Sequence, residues 1–179
     1  MAAVAGRYAR AFAEVVTDHK LDVTKTTEDL TAFAILVQQS HELHNVLLNP
    51  AVEHKQKLGL LDAIMKRMGG GKLLRNFAAV LIEHKRIGQI GEIAEQFRKE
   101  MDRRMGIADA QVSSARALTA AEKKSLEQRL EAVTGKTVRA TYAEDTTLLG
   151  GAVVRIGSTV YDGSVRGQLR RIKEDLVNG

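Results

Sequence analysis

Apolar residues in the first hundred positions recur every three or four residues, the spacing of one face of an α-helix. Leu30, Phe33 and Val37 follow this spacing closely. The pattern stops at Asn49-Pro50, because proline disfavours a helical conformation in the residue before it and lacks an amide proton. It predicts six helices, at residues 3–19, 22–39, 42–48, 54–68, 72–85 and 87–105. Short connections between them predict a compact six-helix bundle over residues 1–105.

After Gly106 the apolar and polar residues alternate, which is the period of a strand. Thr119 followed three residues later by Glu122 is the signature of a capping box, and Gly135 is placed to end that helix. Strands are predicted at residues 107–114, 137–142, 152–156 and 159–161. The order β-α-β-β-β-α predicts a small mixed α/β domain over residues 106–179. The fold class is therefore α+β and mostly α.

Glycines concentrate near the last two predicted strands. Gly157-Ser158 is a tight-turn signal between those strands. Gly150 and Gly151 precede a strand, where they would permit positive φ or close backbone approach. If Gly150 needs positive φ, Gly150→Val should destabilise this domain. Ser164 is a predicted N-cap, and the final helix would carry cations beside an apolar stripe formed by Val165, Leu169, Ile172 and Leu176.

The first helix has a wider apolar arc than one packing face requires. Its apolar residues are Val4, Tyr8, Ala11, Phe12, Val15 and Val16. Two interpretations remain open from the residues alone. The helix is either buried on most sides, or it packs inward on one side and offers the other side to a partner helix.

Composition narrows the function classes. The 179 residues include no cysteine, which excludes disulfides and thiolate chemistry. No apolar run approaches the roughly 20 residues that span a bilayer, so no direct membrane insertion is expected. The net charge is +5, but both signs are interleaved along the chain. This mixing speaks against nucleic-acid binding, which favours a basic patch or stripe.

The candidate chemical motifs all have structural explanations. The glycines before Lys72 do not complete a phosphate-binding loop, because the residue after Lys72 is a leucine and no strand precedes them. His41 and His44 have helical spacing for a metal pair but no third ligand is marked. Asp145 and Asp162 could act as acid and base, but both stand in turn sequences that favour aspartate. We therefore predict no catalytic residue, cofactor or metal, and a two-domain adaptor that uses helix-in-groove recognition.

The chain resembles the delta subunits of bacterial F-type ATP synthases and their mitochondrial relative, the oligomycin-sensitivity-conferring protein. The residues that carry this resemblance most specifically are Gly150, Gly151, Asp162, Gly163, Ser164, Val165, Arg166 and Leu169. Three further stretches support it: Tyr8 to Phe12 in the first helix, Asn49-Pro50 after the third, and Lys85-Arg86-Ile87 between the fifth and sixth. Two departures affect turns: the stretch from Asp145 to Leu149 lacks the family's usual proline, and Lys85-Arg86-Ile87 stands where Gly-Arg-Leu is more usual.

The resemblance implies a six-helix N-terminal domain on top of the catalytic head. There it would receive the N-terminal helix of an alpha subunit in a groove between the first and fifth helices. Matched to this sequence, the implied groove residues are Tyr8, Ala11, Phe12, Val15, Phe77, Val80, Leu81 and His84. We expect a charged substitution such as Val80→Asp to weaken binding of that helix.

The resemblance also implies that the C-terminal domain binds the b subunits of the peripheral stalk. The chain would then be a non-catalytic stator component, with one copy per complex, on the cytoplasmic face of the bacterial cell membrane. It would hold the head still so that rotor torque drives ATP synthesis. The alternative is a helical adaptor or regulatory protein of another membrane-associated complex.

Overall fold

The structure, a computed structural model, describes residues 2–167. Within this range the chain forms seven α-helices, one 3-10 helix (Ile87–Gln89) and four strands. The α-helices are α1 (Ala2–Asp18), α2 (Val23–Gln39), α3 (His41–Leu48), α4 (His54–Met68), α5 (Lys72–Glu83), α6 (Ile90–Arg104) and α7 (Ala120–Thr134). The strands are β1 (Ile107–Ser114), β2 (Thr137–Glu144), β3 (Ala152–Ile156) and β4 (Thr159–Asp162). A mostly helical chain with a small mixed sheet after the first helices is confirmed.

Short polar side chains cap the N-termini of α2 and α3. The Asp22 carboxylate accepts a hydrogen bond of 3.0 Å from the Lys25 amide at the start of α2. The Ser40 hydroxyl accepts one of 3.2 Å from the Leu43 amide at the start of α3. Such caps satisfy amides that lack a partner within the first turn, so they fix where each helix starts.

The predicted end of the fifth helix is wrong, because α5 ends at Glu83 rather than at residue 85. Lys85 adopts φ +56°, which reverses the chain. The Lys85 amide donates to the Ile82 carbonyl at 3.0 Å and the Arg86 amide donates to the Leu81 carbonyl at 2.7 Å. This pair of bonds is a Schellman motif, a helix ending whose left-handed position usually holds glycine. The 3-10 helix follows, so α6 starts at Ile90 rather than at residue 87.

The first six α-helices enclose one continuous apolar core. Its largest members that are less than 2% exposed include Phe33, Phe97, Leu30 and Leu61. Phe12 of α1 stacks on Phe77 of α5, with ring centroids 4.1 Å apart and planes 15° apart. The ring of Phe12 also lies 5.0 Å from that of Phe97. Aromatic contacts therefore tie α1 to both α5 and α6.

The chain divides into two compact units, Met1–Met101 and Asp102–Gly179. The second unit holds a four-stranded sheet in the order β2-β1-β3-β4. Strands β1 and β2 are parallel, with α7 as the crossover between them, whereas β3 is antiparallel to both β1 and β4. Residues of β1 alternate between buried and less buried positions, as a strand covered on one face requires.

Turns in the second unit follow the local sequence. Gly157 has φ +58°, and Ile156 pairs with Thr159 across the two-residue turn. The capping box of α7 is confirmed: Thr119 and Glu122 each bind the other's backbone amide. Gly135 ends α7 in the left-handed conformation, with φ +65°. The small core beneath the sheet is formed by Ala110, Val112, Leu130, Val138 and Val154.

Candidate interaction surfaces

Helices α1 and α5 lie side by side and bring together residues predicted for the groove. Phe12 stacks on Phe77 at 4.1 Å, and the ring of Tyr8 lies 6.3 Å from that of His84. Residue numbers rise along α1 while those of their partners fall along α5, so the two helices run antiparallel. Tyr8 and His84 therefore mark one end of the pair, and Val15 marks the other.

The eight predicted groove residues differ in exposure. Phe12 is 3% exposed and Leu81 is 0% exposed, so both belong to the core beneath the surface and support it from below. Val80 is 41% exposed. The six residues with at least partial exposure, which we call the α1–α5 surface, are Tyr8, Ala11, Val15, Phe77, Val80 and His84. This surface is apolar along most of its length, and Tyr8 and His84 add polar atoms at one end.

The paired glycines of the C-terminal unit pack against the turn after β4. Gly151 has φ +79°, and a Cβ there would overlap the carbonyl oxygen of Gly163 and lie 3.0 Å from the Cα of Ser164. The Gly163 amide donates to the Ala152 carbonyl, and the Val165 amide to the Gly150 carbonyl, both at 3.0 Å. Position 151 therefore requires a residue that adopts the left-handed conformation and has no side chain, and glycine meets both requirements.

The expectation that Gly150 needs positive φ is wrong, because it is Gly151 that adopts this conformation. A Cβ on Gly150 would lie 3.0 Å from Cγ2 of Val165, which is a side-chain atom rather than backbone. Gly150 therefore meets a neighbour that a rotation can move, whereas Gly151 meets main-chain atoms that cannot move without separating the two segments.

Asp162 and Ser164 act as turn and cap residues. The Ser164 amide and hydroxyl donate to Asp162 Oδ1 at 2.9 and 2.7 Å. The Ser164 hydroxyl accepts the Gly167 amide at 3.0 Å, so the predicted N-cap is confirmed. A Cβ on Gly167 would lie 2.5 Å from Asp162 Oδ2. Val165 and Arg166 follow the cap and are exposed, while Leu169 and the rest of the predicted apolar stripe lie outside the described residues.

Asp145 also has a local structural role. The Thr147 hydroxyl and amide donate to its Oδ1 at 2.6 and 2.9 Å, and these bonds lower the pKa of the Asp145 carboxyl below its usual value. A carboxyl held in the charged form by its own turn is a poor proton donor. Within residues 2–167, no group of three or more metal-ligating side chains is present around His41 and His44 or elsewhere.

The sequence reasoning missed an apolar groove between α2, α3 and α4. Its cavity volume is about 630 Å³, and it is lined by Leu36, Ser40, Glu42, Leu43, Val46, Leu60, Ile64, Arg67 and Met68. The available signal was a second set of apolar positions on α2 and α4. Leu36 is 37% exposed, while Leu60 and Met68 are partly buried and pack against the core from the groove side.

Together these features define a class of protein: a helical unit with an exposed apolar surface between two helices, joined to a small mixed α/β unit whose glycines form a rigid turn. No helix among residues 2–167 has the length and hydropathy needed to cross a membrane.

The family model described as ATP synthase delta (OSCP) subunit matches residues 4–176. The chain therefore belongs to the ATP synthase delta (OSCP) family. It is a peripheral-stalk component of an F-type ATP synthase, a membrane complex, and a structural stator subunit rather than a catalytic one.

Known relatives match along nearly the whole chain. The ATP synthase subunit delta of Koribacter versatilis is 46% identical over 98% of both chains. That of Acidobacterium capsulatum is 43% identical over 99% of both. A chain in the cryo-EM structure of the Toxoplasma gondii mitochondrial ATP synthase hexamer has a TM-score of 0.63 at 23% identity, covering 97% of each chain. This last likeness supports the fold alone.

Proposed function

We propose that this chain links the catalytic alpha/beta head of the F-type ATP synthase to the b subunits of its peripheral stalk. The helical unit acts as a six-helix bundle that receives the N-terminal helix of an alpha subunit on the α1–α5 surface. The C-terminal unit binds the b subunits. One copy serves each complex, on the cytoplasmic face of the bacterial cell membrane. Tight binding at both ends keeps the head from turning with the rotor.

The α1–α5 surface is the observation that carries this proposal. Ala11 and Val80 are exposed, and Tyr8, Val15 and Phe77 are half-buried beside them. An amphipathic helix can insert its apolar residues at i, i+3/i+4 and i+7 between two such helices. The stacked Phe12 and Phe77 hold the two helices at a fixed spacing, so binding requires little reorganisation, which favours affinity.

A calorimetric titration tests the groove. The full chain is titrated with a synthetic peptide of the alpha subunit's N-terminal segment, and Val80→Asp is compared with wild type. Placing a carboxylate under an apolar side chain of the peptide should weaken binding at least tenfold, which corresponds to about 1.4 kcal/mol. Ile35→Asp is the matched control, because Ile35 on α2 is 45% exposed against 41% for Val80.

The control should bind within twofold of wild type, and circular dichroism should show that both variants remain folded. Equal affinity of Val80→Asp and wild type would contradict the groove assignment. An equal loss in both variants would show that added negative charge, and not the position of Val80, weakens the complex.

Exposed apolar side chains at Leu149, Val160 and Tyr161 support a partner contact on the C-terminal unit. Co-purification of the full chain from membranes tests the complete linking role. Retention of both alpha and b subunits is expected. Retention of neither, with other proteins in their place, would favour the alternative of an adaptor in another membrane-associated complex.

A further inference from the structure

The residues next to Tyr8 and His84 in the chain have side chains that can donate hydrogen bonds. Arg7 precedes Tyr8 on α1, and Lys85 and Arg86 follow His84 at the end of α5; all three cations are exposed. Within residues 2–167, none of these three has an ion pair or a side-chain hydrogen bond. The same holds for the Tyr8 hydroxyl, since the contact of Tyr8 with His84 is one between rings. The end of the groove is thus rich in exposed donors that have no partner within residues 2–167.

Some cations among the described residues are held by acids of this chain. Arg75 contacts Asp62 at 2.6 Å, and Arg139 contacts Asp109 at 2.7 Å. At the end of α5 the neighbouring acid is the exposed Glu83, and against its one negative charge stand three exposed cations, Arg7, Lys85 and Arg86. The net charge next to the groove end is therefore positive. Because these cations are exposed, a negatively charged group of another chain can reach them.

Lys85 holds its position at a conformational cost. Its φ of +56° lies in the left-handed region, which costs a non-glycine residue roughly 1–2 kcal/mol. Glycine would form the same Schellman motif without that cost. Lys20 at the end of α1 shares this conformation, so the strain alone does not single out Lys85. What distinguishes Lys85 is its place directly after His84, which puts an ammonium group at the end of the groove.

We infer that this end of the α1–α5 surface is a receiving site for carboxylates of the docked helix. The inference rests on the proposed function. Lys85 and Arg86 supply charge-assisted hydrogen bonds, which are stronger than neutral ones, and the Tyr8 hydroxyl supplies a further donor. The partner is an amphipathic helix whose apolar residues cover Val80 and Ala11. Its acidic residues lie on the turn that reaches Tyr8 and His84.

A matched pair of glycine variants tests this site. Lys20 ends α1 as Lys85 ends α5: it has φ +50°, its amide donates to Thr17 at 3.0 Å, and the next amide donates to Val16 at 3.1 Å. Lys20→Gly and Lys85→Gly therefore relieve the same strain and remove the same charge. They do so at opposite ends of the antiparallel pair.

The full-length variants are titrated with the alpha-subunit peptide at low and high salt. Lys85→Gly should weaken binding about two- to fivefold at low salt, the range of an exposed ion pair, and should reduce the salt dependence. Lys20→Gly should bind within the error of wild type. A peptide with its Asp and Glu replaced by Asn and Gln should bind wild type more weakly and should not distinguish it from Lys85→Gly.

Each outcome decides something. If the two glycine variants bind alike, or if the neutral peptide still distinguishes Lys85→Gly, the carboxylate site is overturned. The groove itself stands in that case provided that Val80→Asp still weakens binding at least tenfold. If the peptide fails to bind wild type, the proposed function falls, and the carboxylate site falls with it.

Discussion

Replacing Gly151 with alanine should destabilise the C-terminal unit more than any other single glycine-to-alanine change at a positive-φ position there. The left-handed conformation alone costs a residue with a Cβ roughly 1–2 kcal/mol. The new Cβ also overlaps the Gly163 carbonyl oxygen and crowds the Cα of Ser164. Because those atoms belong to the backbone, relief requires residues 150–152 to move away from residues 163–165.

The magnitude follows from the contacts that such a movement breaks. The hydrogen bonds from Gly163 to Ala152 and from Val165 to Gly150 are both 3.0 Å long, and each contributes about 1 kcal/mol. With the conformational term, the expected loss is about 3–4 kcal/mol. Fewer than eighty residues belong to this unit, and the unfolding free energy of such a unit is about 4–12 kcal/mol. The substitution therefore removes a large part of its stability.

Gly157→Ala is the matched control. Gly157 has φ +58°, but a Cβ there would meet nothing within 4 Å, so only the conformational cost of about 1–2 kcal/mol applies. Hydrogen exchange measured on amides of β1 and β3 gives the opening free energy of this unit without assuming that the whole chain unfolds in one step. A loss for Gly151→Ala no larger than that for Gly157→Ala would refute the steric reasoning.

Three further predictions concern stability. Leu81→Ala should cost about 2–5 kcal/mol in urea denaturation of the helical unit, because Leu81 is fully buried. Thr119→Ala should cost about 1 kcal/mol through loss of the α7 capping box, measured as faster hydrogen exchange in α7. Hydrogen bonds from Arg116 and Thr119 lower the pKa of Glu122 from 4.5 to about 2. The ionised Glu122 carboxylate therefore contributes fully to the stability of α7 above pH 4.5, and this contribution is lost as the pH falls towards 2. Glu122→Gln should make the acid unfolding of α7 less dependent on pH in that window.

The helices and strands follow from the sequence because their signals are local. Apolar spacing locates α2 and α3 within a residue, and the alternation after Gly106 locates β1. The end of α5 does not follow from local signals. Lysine rarely adopts the left-handed conformation, so the identity of residue 85 does not predict the turn that ends the helix.

The candidate surfaces could be predicted only in part, since exposure depends on packing between distant segments. Spacing cannot separate Phe12, which the core buries, from Ala11, which remains exposed, because both lie on the broad apolar arc of α1. In the same way, the sequence marks Gly150 and Gly151 as a pair. The one that must be glycine is decided by the turn at Gly163, which meets Gly151 across the sheet edge.

Variants of the two lysines in left-handed positions, Lys20 and Lys85, allow effects on stability to be distinguished from effects on binding. Both Lys20 and Lys85 follow a histidine at a helix end and carry the same pair of backbone hydrogen bonds. If local helix termination were the only reason for a residue there, glycine would serve better at both sites, and each Lys→Gly change should stabilise the helical unit by about 1 kcal/mol. Thermal melts should show the two gains to be similar. A similar gain in stability combined with a loss of peptide binding for Lys85→Gly alone would mean that the strain at Lys85 is retained for its ammonium group.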